Sequence, residues 1–141
     1  MPLLAPRGEP VVLKSPSDVA GYIGAELAEL AQEQLRVILL DTRNQVMGVE
    51  LVYQGGVNAT TVRFADCFRE AVARGAPAII LVHNHPSGDP SPSPQDIHMT
   101  QEAGKAGALL GVDVLDHIVI GKDSHSSLRE GGHYTPGAQA A

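Results

Sequence analysis

The sequence predicts a single α/β domain built as a sandwich, with helices flanking a mixed β-sheet. Three observations favour this fold class. A chain of 141 residues suits one domain with a substantial core. Segments with apolar residues at helical spacing alternate with short β-branched runs, two of which are typical of a hairpin. A continuous apolar run at 78–82 is typical of a central strand that is buried on both faces.

The first third of the chain predicts a helix followed by a hairpin. Residues 1–14 contain three prolines and predict an extended lead-in. Ser15 and Pro16 match an N-cap followed by proline at the first helical position. The helix would run for roughly four turns, and its apolar stripe would be Val19, Ile23, Leu27 and Leu30. The runs RVILLD and QVMGVELVY, separated by a turn at 42–44, predict the hairpin.

A second helix is predicted before the central strand. Thr60 or Thr61 would cap it, Gly75 would end it, and its buried face would carry Phe64, Phe68 and Val72. Cys67 lies beside that face and is expected to be a small buried hydrophobe rather than a nucleophile.

The last third predicts a long helix, a strand and a tail. Ser93 and Pro94 would begin a helix that runs towards Leu110, and VDVLDHIVIG (112–121) would form the last clear strand. The domain is therefore expected to occupy 15–130, between the lead-in and a flexible Gly/Ala-rich tail at 131–141.

Composition excludes several classes of protein. The net charge of −6 argues against a broad basic surface for nucleic acid. No apolar stretch approaches the roughly 18 residues of a membrane span. A single cysteine allows no internal disulfide, and the first residues do not resemble a leader peptide, so we expect a cytoplasmic protein.

The stretch HNHPSGDPSPSPQD (83–96) carries the chemistry. His83 and His85 alternate on a strand, so both project to the same side, at the carboxyl end where ligand sites gather. Two imidazoles side by side suit zinc, and Asp96 at the start of the next helix could supply a carboxylate oxygen. The prolines stiffen the intervening loop and lower the entropic cost of holding Asp96 near the histidines. The pattern predicts a zinc site formed by His83, His85 and Asp96.

The same residues allow a purely structural interpretation. Ser93-x-x-Asp96 resembles a capping box, in which both side chains satisfy free amides at the helix start. Ser93 could cap the helix and still lie beside a metal, whereas for Asp96 the two roles are expected to compete for the same oxygens.

The spacing H-x-H-x(7)-S-x-x-D resembles the metal signature of the JAMM (MPN+) metalloproteases. HNHPSGDPSPSPQDI, LLGVDVLDHIVIG and SLREGG resemble the bacterial RadC family closely, from about residue 10 to about residue 132. The resemblance implies the JAB/MPN sandwich, a cytidine-deaminase-like α/β fold. It also implies that His83, His85 and Asp96 bind Zn²⁺ and that Ser93 steadies the tetrahedral intermediate. No part of this sequence resembles the helix-hairpin-helix segment usual in full-length members, so we expect either an excised catalytic domain or a short family member. The family's link to DNA repair therefore transfers poorly to this chain.

The resemblance also implies a glutamate base upstream of the histidines. Glu33 lies where the first helix meets RVILLD, which is the superfamily's position for the base, and Glu50 within the next strand is the alternative. Position favours Glu33. His117 is expected to be a packed, hydrogen-bonded histidine rather than a ligand.

The remaining polar candidates are given lesser roles. Asn84 and Asp116 should point away from the site-facing side chains and support or pack behind them. His98 should face away from the site, and His125 and His133 should lie in loop and tail.

Three functions compete on this basis. The first is a zinc metallohydrolase that cleaves a peptide or isopeptide bond in a protein or peptide substrate. The second is a metal-dependent nuclease or DNA-processing factor, which the acidic composition does not support. The third is a non-catalytic MPN interaction module, but the intact set of His83, His85 and Asp96 argues against it.

Overall fold

A computed structural model describes residues 3–5, 8–55 and 62–137 of the chain. The order of elements is α1 (Pro16–Val19), a π-helical turn (Ala20–Gly24), α2 (Ala25–Ala28), β1 (Gln34–Leu40), β2 (Val46–Gln54), α3 (Phe64–Arg74), β3 (Ala78–Asn84), α4 (Pro94–Leu110), β4 (Asp113–Ile120) and β5 (His125–Ser127).

The five strands form one mixed sheet in the order β2-β1-β3-β4-β5. β1 pairs antiparallel with both β2 and β3, while β3 and β4 are parallel and α4 connects them. The short edge strand β5 pairs antiparallel with β4. All seven residues of β3 are buried, as expected for a central strand that is covered on both faces. The predicted mixed-sheet α/β sandwich is confirmed.

Each face of the sheet packs against its own helices. One core joins alternate residues of β1, such as Leu35 and Val37, to α3 and α4 through Phe68 and Met99. The other joins the opposite face of β1 and β3 to the first helical segment. Alternation along the strands therefore produces two apolar layers, and the sheet separates them.

The first helical segment differs from the regular helix that its pattern predicts. Ser15 caps α1 as expected, and Val19, Ile23 and Leu27 are buried. A π-helical turn interrupts the segment, a feature that apolar spacing does not encode. The helix also ends at Ala28, so Leu30 packs on the core from the connection beyond it.

The predicted face of α3 is confirmed for Phe64 and Phe68, which pack on the core, but not for Val72. Cys67, Phe68 and Ala71 are buried, but Val72 is 55% exposed. The helix turns its small residues to the sheet, because Cys67 and Ala71, four residues apart, allow a close approach. α3 begins at Phe64 with Arg63 as N-cap, and the expected caps Thr60 and Thr61 lie outside the described residues. Gly75 ends α3 as predicted, Gly111 ends α4, and both glycines adopt the left-handed conformation.

The ends of the chain make specific contacts with the domain. In the lead-in, Val12 forms a bridge with Gln45, and Leu13 is buried. In the segment predicted to be a flexible tail, Tyr134 is 4% exposed and its hydroxyl donates to the carbonyl oxygen of Val114. Residues 138–141 lie outside the described part. In the described part, no helix combines the length and apolar character needed to cross a membrane.

Candidate metal centre

The centre lies at the carboxyl end of β3. His83 is within the strand and fully buried, and His85 follows directly after it, half-buried. Alternation turns both rings to the same side, and their Nε2 atoms lie 2.9 Å apart. Both rings therefore present a nitrogen to one point, as predicted from the sequence.

The loop after His85 is held by β5 and by the turn that precedes it. The amide of Lys122 donates to the carbonyl oxygen of Gly88, and the hydroxyl of Ser126 donates to that of Pro90. Gly121 packs so closely that a Cβ there would collide with the carbonyl oxygen of Gly88. The loop is fixed by its prolines and also by this second turn.

The loop in turn fixes the ring of His85. Nδ1 of His85 lies 2.9 Å from the main-chain carbonyl oxygen of Asp89. A carbonyl oxygen can only accept, so Nδ1 carries the hydrogen and donates it. In the neutral ring this leaves the lone pair on Nε2, which faces the centre.

Asp96 serves as both helix cap and centre residue. Its Oδ2 accepts a hydrogen bond from the amide of Ser93 (2.8 Å), and the hydroxyl of Ser93 accepts one from the amide of Asp96 (3.0 Å), which completes the capping box. Oδ2 also lies 3.1 Å from Nε2 of His85, and Oδ1, which takes no part in the cap, lies 3.3 Å from Nε2 of His83. The two roles thus share Oδ2, as expected, but Oδ1 takes part only in the centre.

Glu33 reaches the same point from the start of β1. Its Oε1 lies 3.5 Å from Nε2 of His83, and the side chain is 24% exposed, so it is open to solvent. The ligand atoms of Glu33, His83 and His85 all lie within 4.8 Å of one another. Glu50, the alternative base, lies instead beside α3 in a surface cavity of about 320 Å³ that Asp66 and Arg69 also line.

Asn84 fixes the position of Glu33 from the opposite face of β3. Its Oδ1 accepts from the amide of Gln34 (2.7 Å), and its Nδ2 donates to the carbonyl oxygen of Gln32 (3.1 Å). One buried amide thus brackets the main chain on both sides of Glu33. The expectation that Asn84 supports the site is consistent with these two bonds.

The other sequence candidates occupy varied positions. His117 is fully buried and hydrogen-bonded, as expected, and Nε2 of this ring lies 2.6 Å from Nδ1 of His83. Asp116 faces away from the centre and accepts from the hydroxyl of Ser127 and the amide of Arg129. His98 is exposed on α4.

The described cluster of possible metal ligands does not include His125 or His133. His125 begins β5 rather than lying in the predicted loop. A three-residue strand has too few residues for a recognisable sequence pattern, so it could not be predicted. His133 is exposed, and its carbonyl oxygen accepts from the side chain of Gln101.

These contacts shift the pKa values of the clustered groups. Burial acts to raise the pKa of Asp96, but contacts with the imidazoles of His83 and His85 outweigh it and hold that pKa well below its usual range. The hydrogen bond to Asp96 raises the pKa of His85. Burial lowers the pKa of His117. At neutral pH Asp96 is therefore an anion and His117 a neutral imidazole.

The donor set fits a divalent cation such as zinc. Two imidazole nitrogens and two carboxylates converge within a few ångströms, and both nitrogen and carboxylate oxygen are zinc ligands. Lone pairs that face one another repel unless a proton or a cation lies between them. Three of the four groups could act as ligands, and the fourth could transfer a proton.

Sequence reasoning missed two supports of the centre. Thr100 lies four residues after Asp96, and its hydroxyl is 2.6 Å from Nδ1 of His117 and 2.7 Å from the carbonyl oxygen of Asp96. Its helical spacing from Asp96 is the signal that could have found it. Gly121 directly follows β4, and a glycine there can mark a close backbone approach.

The chain matches known sequences over nearly all of its length. The model of the family described as "RadC-like JAB domain" matches residues 13–133. A UPF0758 protein of Roseiflexus castenholzii is 49% identical over 130 residues, which are 92% of this chain and 56% of that protein. A UPF0758 protein of Desulfitobacterium hafniense is 44% identical over 121 residues, 86% of this chain and 53% of the relative.

A more distant relative shows the same pattern. The UPF0758 protein TTE0897 of Caldanaerobacter subterraneus is 39% identical over 132 residues, 94% of this chain and 57% of the relative. The chain thus spans about half the length of the curated relatives that it matches. Fold, sequence motifs and the matched family model agree, and the chain belongs to the RadC-like JAB domain family.

Proposed function

We propose that this domain is a zinc-dependent metallohydrolase that cleaves a peptide or isopeptide bond with a metal-activated water. The observation that carries the proposal is the convergence of His83, His85, Asp96 and Glu33 at one end of the sheet. When bound, zinc would lower the pKa of its water towards about 7 and polarise the scissile carbonyl.

Glu33 has the position and exposure of a general base. Its carboxylate is close to His83 yet remains open to solvent, so it can accept a proton and pass it to the departing amine. The bracket from Asn84 holds the main chain on both sides of Glu33, which limits the range of positions that the carboxylate can take.

Ser93 retains a hydrogen that it can donate. In the capping box its hydroxyl oxygen accepts from the amide of Asp96, which uses one lone pair and leaves the hydroxyl hydrogen free. That hydrogen could stabilise negative charge on the carbonyl oxygen of the substrate during attack. The two roles of Ser93 are thus chemically compatible.

Two of the arginines in the described part of the chain are already paired with carboxylates. Arg36 pairs with Glu26, and Arg69 pairs with Asp66. Each pairing neutralises a cation that phosphate contacts would need. We therefore propose that the substrate is a protein or peptide rather than a nucleic acid.

Zinc content and turnover test the proposal. The purified protein should hold close to one zinc by elemental analysis, and His85→Ala should lose it because two remaining ligands bind too weakly. Stoichiometric zinc in His85→Ala would refute the site. A peptide library should be cleaved by the zinc form, and a duplex or single-stranded DNA should not.

The base is tested by a matched pair of variants. Glu33→Gln should keep zinc and lose turnover mainly in kcat, since an amide cannot accept the proton. Glu50→Gln, outside the centre, should retain near-normal turnover. The reverse result would move the base to Glu50, and zinc binding without turnover on any peptide would contradict hydrolysis.

A further inference from the structure

A buried hydrogen-bond chain runs from α4 through β4 to the ring of His83. Thr100, His117 and His83 are each fully buried, so water cannot satisfy their polar atoms. The links are short: 2.7 Å from the hydroxyl of Thr100 to the carbonyl oxygen of Asp96, 2.6 Å from that hydroxyl to Nδ1 of His117, and 2.6 Å from Nε2 of His117 to Nδ1 of His83.

The first link sets the direction of all the others. The hydroxyl of Thr100 donates its single hydrogen to the carbonyl oxygen of Asp96, which can only accept. The hydroxyl oxygen of Thr100 can then only accept from Nδ1 of His117, which must carry the ring hydrogen. A neutral His117 has no hydrogen left on Nε2, so Nε2 accepts from Nδ1 of His83.

The chain therefore ends with a defined proton position on His83. With its hydrogen on Nδ1, the neutral ring carries its lone pair on Nε2, the atom that faces Glu33, His85 and Asp96. The opposite tautomer would place two lone pairs 2.6 Å apart between His83 and His117. It would also put a hydrogen where a cation must bind.

We propose that Thr100 and His117 are positioning residues that hold His83 in the tautomer with Nδ1 protonated and thereby present Nε2 to the cation. This inference rests on the metal centre proposed above and adds two residues to it. The carbonyl oxygen of Asp89 fixes the tautomer of His85 in the same way, so Nδ1 of each histidine donates to an acceptor of its own.

The arrangement also ties the metal centre to the first turn of α4. Asp96 supplies the carboxylate that faces His83 and also the carbonyl oxygen from which the chain starts. A shift of that turn would move both ends of the chain together. The positions of Asp96 and the ring of His83 are thus coupled through Thr100.

The tautomer can be measured without metal or substrate. Protein with ¹⁵N-labelled histidine, treated with a chelator at pH 8, should show His83 with a protonated Nδ1 in two-bond ¹H–¹⁵N spectra. His117→Phe keeps a ring but removes the acceptor, so His83 should populate the form with a protonated Nε2. His98→Phe, an exposed histidine on α4, is the matched control and should leave the His83 signals unchanged.

Zinc affinity gives the second measurement. In competition with a chromophoric chelator, His117→Phe should bind zinc about 10–100-fold more weakly. His117→Gln can again offer an oxygen to Nδ1 of His83 and should recover most of that loss. Thr100→Val removes the start of the chain with little change of shape, and should produce a mixture of His83 tautomers even if His117→Phe fails to fold.

The outcomes separate this inference from the proposed function. A wild-type His83 with a protonated Nε2, or an unchanged His83 in both His117→Phe and Thr100→Val, would overturn the positioning role. Unchanged zinc affinity in His117→Phe would overturn it as well. If the tautomer responds as expected but the wild-type protein binds no zinc, the hydrogen-bond chain stands and the proposed metallohydrolase falls.

Discussion

Replacing Asp96 by asparagine separates its role as a helix cap from its role at the metal centre. The amide oxygen of asparagine can still accept from the amide of Ser93, so the capping box largely survives. What is lost without metal is a negative charge near the helix start, worth about 0.3–1 kcal/mol, together with the contacts of that charge with the imidazoles of His83 and His85. A neutral amide costs less to bury, which offsets part of this loss. Metal-free Asp96→Asn should therefore be roughly 1–2 kcal/mol less stable than the wild type.

The loss should be much larger in the presence of zinc. Structural zinc sites with four ligands bind with about 10–16 kcal/mol, so one ligand corresponds to roughly 3 kcal/mol, or about 100-fold in affinity. At a zinc concentration of about 1,000 times the wild-type Kd, stabilisation by binding is about 4 kcal/mol, and a 100-fold weaker site retains only about 1.4. For a domain of this size the difference is about 10 °C in Tm.

Ser93→Ala provides the complementary variant. It removes the cap acceptor for the amide of Asp96, at a cost of about 1 kcal/mol in the metal-free protein, but leaves the carboxylate beside the histidines. Thermal denaturation of both variants, with and without zinc, gives the comparison. If Asp96→Asn shows the full zinc stabilisation of the wild type, Asp96 is only a cap and the three-ligand centre is refuted.

Three further variants or treatments probe the surroundings of the centre. Asn84→Ala leaves two main-chain groups beside Glu33 without partners, so urea unfolding should show a loss of about 1–3 kcal/mol and turnover should fall. If the variant lost its zinc along with its turnover, the role of Asn84 would not be confined to Glu33. Burial, reinforced by the charge of Asp66, raises the pKa of Cys67 to about 12, so a thiol reagent at pH 8 should label Cys67 only after unfolding. Rapid labelling of the native protein would show that the thiol is accessible and reactive. Gly121→Ala should displace the loop after His85 and weaken zinc binding, with an overpacking cost of about 1–3 kcal/mol. Gly21→Ala has open space around the new methyl group and should leave zinc binding unchanged. Equal zinc affinity in the two variants would show that the loop tolerates a methyl group at residue 121.

Local patterns were sufficient for much of the site. The common side of His83 and His85 follows from strand alternation, and the return of Asp96 follows from a stiff loop that ends at a helix cap. The choice between Glu33 and Glu50 is different. It depends on the register between β1 and β3, which places Leu35 opposite His83. Register between strands about 50 residues apart is a tertiary property, so spacing along the chain could only favour Glu33 by position.

The wrong predictions about the fold have a similar origin. Val72 was predicted to be buried because large apolar residues at helical spacing usually mark the packed face. α3 packs through the predicted Phe64 and Phe68, but Cys67 and Ala71 take the place of Val72, and this difference depends on the surface of the sheet. The π-helical turn at 20–24 and the three-residue β5 likewise have no distinct pattern of their own.

The proposed ligands of the centre lie close together along the chain, and this has a kinetic consequence. His83, His85 and Asp96 fall within fourteen residues, whereas Glu33 joins them only after β1 has paired with β3. A cation held by these three ligands needs only the end of β3, the loop and the first turn of α4, so it can bind before the rest of the sheet is complete. Binding at that stage stabilises the transition state for folding, and it should therefore raise the folding rate as well as slow unfolding.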